Sequence, residues 1–307
     1  MTSLQAERQS PRWSRGKLVA AAGLLLLALG TAAVAAAQEA PPPPGADDAA
    51  ILERVGRYVL AYHEQLAQVV ADERYLQVAP QLPLANPERT RNLRSEVILV
   101  RPEGSAAYKL FRDVVEVNGR RVRDREERLA ELFFSSPATL DKIAAESSRY
   151  NIGPVISNFN VPTTVLYFLE PANQANFRFE PAGEAEVDGV RTRVFRFTET
   201  AQPTLVRFNF RDIPSAGAIW VDPADGRVLR TRLQIQAADN RGRPLNVETV
   251  VDFRLVPALG LAAPVEMREE YTLAGVAVFT GRAVYDNFRR FAVQVDQSVD
   301  APPVDEP

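Results

Sequence analysis

The 307-residue chain has no cysteine and only one histidine, His63. Without thiols there are no disulfide staples, so stability must come from packing. A lipid-modified cysteine anchor behind an export signal is excluded as well. A zinc-protease helix needs a second histidine four residues after the first, and Ala67 stands there. A Ser–His–acid triad would have to use His63, and no G-x-S-x-G elbow is present. There is also no G-x-G-x-x-G motif and no phosphate-binding loop. His63, in "YHEQLAQ", reads as a helix-flank histidine beside Tyr62. No catalytic, cofactor-binding or metal-ligating residue is assigned, and no cofactor is called for.

The first 40 residues look like a targeting segment. Arg8, Arg12, Arg15 and Lys17 against Glu7 give the leading stretch a net charge of +3. An apolar core, "LVAAAGLLLLALG", and a small-residue run follow. Ala35 and Ala37 occupy the places of an A-x-A cleavage site, which predicts a signal peptide over 1–37 and a mature start at Gln38. Leu18 to Ala37 is nearly long enough to span a membrane, but its small-residue end favours cleavage. No permanent span is expected after processing, and the expected location is the periplasm or the exterior. The chain carries −3 overall, so the processed part carries −6. A mildly acidic chain argues against a nucleic-acid partner.

"APPPPGADD" predicts a stiff Pro-rich spacer over 38–47. A single α+β domain is expected over 48–295, with a helical and hairpin front (48–177) and an antiparallel sheet behind it (178–295). A disordered tail is expected over 296–307. Apolar residues recur at helical spacing from Asp47 to about Val78: Ile51, Val55, Tyr58, Tyr62, Leu66 and Val69 form one stripe. "DREERLAELFF" predicts a second helix with Asp124 as N-cap and Glu127 three residues on. A third runs from Ser136-Pro137 to before Gly153-Pro154. Residues 161–177 read two ways: Pro162 favours a short helix, whereas the β-branched run also suits a strand.

The back half is almost pure β. Val247, Thr249, Val251, Phe253 and Leu255 face one way, and Glu248, Asp252 and Arg254 the other. Leu229, Thr231, Leu233 and Ile235 alternate in the same manner. Asn118-Gly119 and Asp188-Gly189 mark hairpin turns. One-sided strands joined by tight turns predict a curled antiparallel sheet, an incomplete barrel, covered by the amphipathic helices at 48–79 and 125–150.

In "AGAIWVDPADGRVLRTRLQI" (216–235), Asp222 and Asp225 raise the question of a metal. A calcium loop of the EF-hand type needs alternating acids and a closing Glu. Pro223, Ala224, Arg230 and Arg232 stand in their stead, which predicts a hairpin turn. "PVEMREEY" places Glu269 on an otherwise apolar face with Val265, Met267 and Tyr271. That reads as a charge at a sheet edge or pocket mouth, with a functional carboxylate as the alternative.

"WVDPADGRVLRTRLQI", "LGLAAPVEMREEY" and "RAVYDNFRRF" resemble an uncharacterised family of secreted bacterial proteins, as do "RNLRSEVILVR", "FRDVVEVNGRRVRDREERL" and "RYNIGPV". The last third also resembles periplasmic lipoprotein carriers of the LolA/LppX type: a strand ending in Asp-Pro, a turn, a returning strand and a late Tyr-Asn-Phe-like strand. That resemblance implies a half-barrel closed by helices around an apolar cavity for acyl chains. The longer helical segment at 125–177 departs from it.

Three functions fit these observations. The first is a binding or carrier protein for an apolar ligand, a lipid or a lipoprotein acyl chain. Its candidate lining is Tyr167, Phe168, Phe195, Phe197, Trp220, Phe253, Met267 and Tyr271, each of which could equally be core packing. The second is an envelope scaffolding protein with a solid core. The third is a carboxylate-dependent hydrolase, which would need converging acids in a cleft.

Overall fold

A computed structural model describes residues 46–67, 69–79, 89–100, 108–132, 140–152, 160–208, 211–238 and 241–290. The signal peptide, most of the spacer and the tail expected from the sequence lie outside the described residues. So do Ser136-Pro137 and Gly153-Pro154. The chain opens with helix α1 (Ala46–Leu66), followed by strands β1 (Val69–Ala79), β2 (Arg89–Val100), β3 (Lys109–Val117) and β4 (Arg120–Arg121). Four shorter helices come next: α2 (Arg125–Ala130), α3 (Leu140–Ser148), α4 (Thr164–Phe168) and α5 (Pro171–Gln174). The rest is β: β5 (Phe177–Val187), β6 (Val190–Glu199), β7 (Arg207–Phe208), β8 (Arg211–Asp212), β9 (Ser215–Val221) and β10 (Val228–Ala238). Strands β11 (Pro244–Val256), β12 (Leu261–Leu273) and β13 (Val276–Arg290) complete it.

Eleven strands form one sheet in the order β4-β3-β2-β1-β13-β12-β11-β10-β9-β6-β5, open at both ends. Every neighbouring pair is antiparallel. The architecture is therefore the curled, unclosed antiparallel sheet with helices that the alternation predicts. Strand β1 joins the front of the chain to its last strand, with Tyr75 opposite Ala283 and Glu73 opposite Tyr285. Asn118 (φ 50°) and Gly119 (φ 74°) turn β3 into β4, and Asp188-Gly189 does the same between β5 and β6. Both central residues of such a turn need positive φ, which Asn, Asp and Gly tolerate.

Helix α1 lies against the sheet's inner face. Ile51, Leu52, Val55, Val59, Tyr62 and Leu66 are all buried in the main core. Each fully buried apolar side chain of this kind contributes about 1.5–3 kcal/mol. The β9–β10 turn closes onto this helix. Gly226 has φ 79°, and a Cβ there would sit 2.5 Å from the Arg54 carbonyl carbon. Arg54 Nε donates to Pro223 O at 3.2 Å. Asp222 and Asp225 accept from the backbone N–H groups of Ala224 (3.0 Å) and Arg227 (2.9 Å). The carboxylates thus brace a hairpin turn.

The structure changes several expectations. The first helix stops at Leu66, and 69–79 is a strand whose inward residues are Val69, Ala71, Glu73, Tyr75 and Gln77. Two inward polar residues hide its alternation. Residues 161–177 form the short helices α4 and α5. Asp124 makes no side-chain cap to α2. Leu255 is 52% exposed, although Val251 and Phe253, in phase with it on the same strand, are buried. Helix α3 packs on β3 and does not join the main core: Ile143 forms a separate cluster with Phe111 and Leu132.

Candidate functional site

The proposed lining residues separate into three groups. Phe195, Phe197, Phe253, Met267 and Tyr271 are sealed in the core beneath α1. Phe197 meets Phe177 edge to face at 5.8 Å, and Phe177 stacks on Phe168 at 5.0 Å, so rings fill this part of the concavity. Trp220 lies on the opposite face from its buried neighbours Ile219 and Val221, with the Arg230 guanidinium 5.9 Å from its ring. Its position in the alternation puts it there. Of the eight, Tyr167 and Phe168, on α4, border an open space among the described residues.

That space is a pocket of about 380 Å³ where the end of α1, the β2–β3 region, α3 and α4 meet. Its apolar wall includes Leu99, Leu110, Val161, Phe168, Leu205 and Val206. Polar groups stand among them. His63, from the last turn of α1, places Nδ1 2.7 Å from Glu170 Oε1, at the link between α4 and α5. Lys109, at the start of β3, is held below the usual lysine range by burial, against the attraction of Asp141 on α3. Burial disfavours the ammonium, and the nearby carboxylate favours it. The pocket can hold a short apolar group, and its ionisable wall residues lie in two pairs, His63 with Glu170 and Lys109 near Asp141.

Tyr167 and Phe168 are among the lining candidates named from the sequence, and Leu99, Leu110 and Lys109 are not. Leu99 and Leu110 read as ordinary strand residues, and only the β2–β3 pairing, with Leu99 opposite Leu110, brings them together at one end of the sheet. His63 sits beside Tyr62 on the helix flank, as its neighbours in the chain indicate.

A broader hollow of about 720 Å³ lies over β9–β12 and is lined largely by Gln234, Gln236, Asn246, Glu248, Glu270 and Thr272. Pro214, Ala216, Ile235 and Val247 also line it, and none of the eight candidate lining residues borders it.

Glu269 stands at neither a sheet edge nor a pocket mouth. Strand β12 runs between β11 and β13, and Glu269 is 4% exposed. Its carboxyl hydrogen-bonds to Tyr75 Oη and, at 3.4 Å, to Tyr271 Oη. Burial raises its pKa to about 7, against the Tyr75 hydrogen bond and the charge of Arg112. Beside it, Arg112 donates from Nε and Nη2 to the two Glu73 oxygens at 2.5 and 2.8 Å. Both partners are buried.

Among the described residues, no helix is long and apolar enough to cross a membrane. No protein-family model and no curated protein matches the chain. Among solved structures it is similar to a LolA superfamily protein of Nitrosomonas europaea, at 12% identity over 80% of this chain and 94% of that one, TM-score 0.34. A putative outer membrane lipoprotein-sorting protein domain from Vibrio parahaemolyticus is similar at 12% identity over 79% and 95%, TM-score 0.34. A DUF1329 family protein from Desulfovibrio piger is similar at 10% identity over 81% and 95%, TM-score 0.37. The LolA superfamily of the first is the type named in the sequence resemblance.

Proposed function

We propose that the protein is an exported binding or carrier protein that takes an apolar chain, of the kind found in lipids and lipoproteins, into the pocket beside α4. The observation that carries this reading is the pocket itself: about 380 Å³, walled by Leu99, Leu110, Phe168 and Val206. That volume is within the range of ligand sites, roughly 300–1,000 Å³. The rest of the concavity is filled by α1 and aromatic side chains, so the ligand is confined to this end. Binding, not catalysis, is the activity proposed.

The test is native mass spectrometry of detergent-free protein from the periplasmic fraction, followed by solvent extraction and lipid analysis. A stoichiometric co-purifying acyl lipid, lost in Ala144→Trp, is the expected result. Ala144 lines the pocket and is only partly buried, so the larger ring fills the space with little disturbance to the core. Retention of the lipid by Ala144→Trp moves the site elsewhere. An apo mass with no uptake of a fluorescent fatty acid favours scaffolding, which the sealing of Phe195, Phe253 and Met267 supports.

A further inference from the structure

Two carboxyls and one guanidinium share the core between β3, β1, β13 and β12. The guanidinium is already committed. Arg112 holds both oxygens of Glu73, and its Nη2 also donates to Asn160 O at 3.2 Å. Tyr285, on β13 opposite Glu73, adds a hydroxyl to the same cluster, with its Oη 4.0 Å from Met267 Sδ. Glu269 is left with neutral partners only, the hydroxyls of Tyr75 on β1 and Tyr271 on its own strand. Across β13, Gly281 makes room for it: a Cβ there would lie 2.5 Å from Glu269 Oε1. On the β11 side its neighbour is Thr249, which carries no charge. The nearest cation, Arg112, is already paired with Glu73, and a buried carboxyl that no cation holds resists ionisation, so with Glu269 protonated the cluster is neutral and with it ionised the cluster is net negative.

The place matters as much as the charge. Glu73 and Tyr75 belong to β1, the strand that attaches the front of the chain to β13, and Glu269 reaches across β13 from β12. We propose that Glu269, set against the Glu73–Arg112 pair, is a proton-operated latch: its neutral carboxyl ties β12 to β1 across β13, and its ionisation loosens that seam. The latch is independent of any ligand in the pocket.

The direction of the effect follows from linkage. Glu269 titrates near 7 in the folded chain against an ordinary glutamate value of 4.5, so the native state binds the extra proton in between. Stability therefore falls as pH rises from about 4.5 to about 7, and the loss is complete above that. The experiment is thermal melting of the full chain from pH 4.5 to 8.5, wild type against Glu269→Gln, with pH-corrected hydrogen exchange. The wild type is expected to lose roughly 5 °C across this window relative to Glu269→Gln. Amides of β1, β12 and β13 should gain the most exchange. An identical pH slope in the variant, or acceleration confined to other strands, overturns the latch. Should Glu269→Gln fail to fold, carboxyl ¹³C titration of the wild type decides: a midpoint above 6 supports the latch and one below that overturns it.

Discussion

The inner face of the sheet is built in two ways. On the β5–β6–β9 side it is aromatic: Phe177 and Phe197 pack on Phe168, and Phe179 on Phe177 and Phe197, at ring separations of 5.0–6.4 Å. On the β12–β13–β1 side it is ionisable, with Glu73, Arg112, Tyr75, Glu269 and Tyr285 in the same layer. Both sides are closed to water, yet they are held differently. Burial of apolar rings is indifferent to pH. The polar side depends on each donor and acceptor having its partner, since an unmet buried charge costs far more than a lost contact. One half therefore supplies bulk stability, and the other makes stability conditional.

Breaking each half once sharpens this difference. Arg112→Met strands the Glu73 carboxylate and should cost about 3–5 kcal/mol in urea unfolding. Phe197→Ala opens a cavity and should cost a similar amount, about 3–5 kcal/mol. The two separate on acidification: the Arg112→Met loss, which is electrostatic, should shrink towards low pH, and the Phe197→Ala loss should not. Equal pH profiles would erase the distinction.

A smaller effect is expected where the aromatic half meets α1. Gly226→Ala combines a positive φ with contact against the Arg54 backbone, at about 2–4 kcal/mol. Its α1 amides should lose exchange protection before those of β13. The smallest effect belongs to the outer face, where charges are solvated. Arg94→Ala removes a pairing with Glu116 in which the arginine side chain is 66% exposed, and should change stability by less than about 1 kcal/mol. A larger loss would make the outer charges part of the fold's support.

The legibility of the sequence follows the same division. In β10, Leu229, Thr231, Leu233 and Ile235 alternate cleanly, and all four are buried. The turns at Asn118-Gly119 and Asp188-Gly189 were readable because few residues accept that backbone. Strand β1 was not readable. Its inward Glu73 and Gln77 look like surface residues until Arg112, 39 positions along the chain from Glu73, supplies the partner for one of them. Asn151 and the backbone of Ile152 supply partners for Gln77. Glu269 was visible as an anomaly on an apolar face, but its burial depends on a central strand position that only the strand order reveals.

Local pattern alone determined the open antiparallel sheet, the hairpins and the amphipathic start of α1, because strand alternation, turn chemistry and helical spacing are written in neighbouring residues. Tertiary structure alone decided which aromatics are sealed, that Trp220 faces outward beside Arg230, and that the pocket gathers His63, Leu99, Lys109 and Phe168. It also decided that Arg112 pairs directly with one buried carboxyl, Glu73, and leaves Glu269 hydrogen-bonded to tyrosine hydroxyls. Those outcomes depend on pairings between distant strands, and no local rule carries the sign or the distance of a partner that arrives from the other end of the chain.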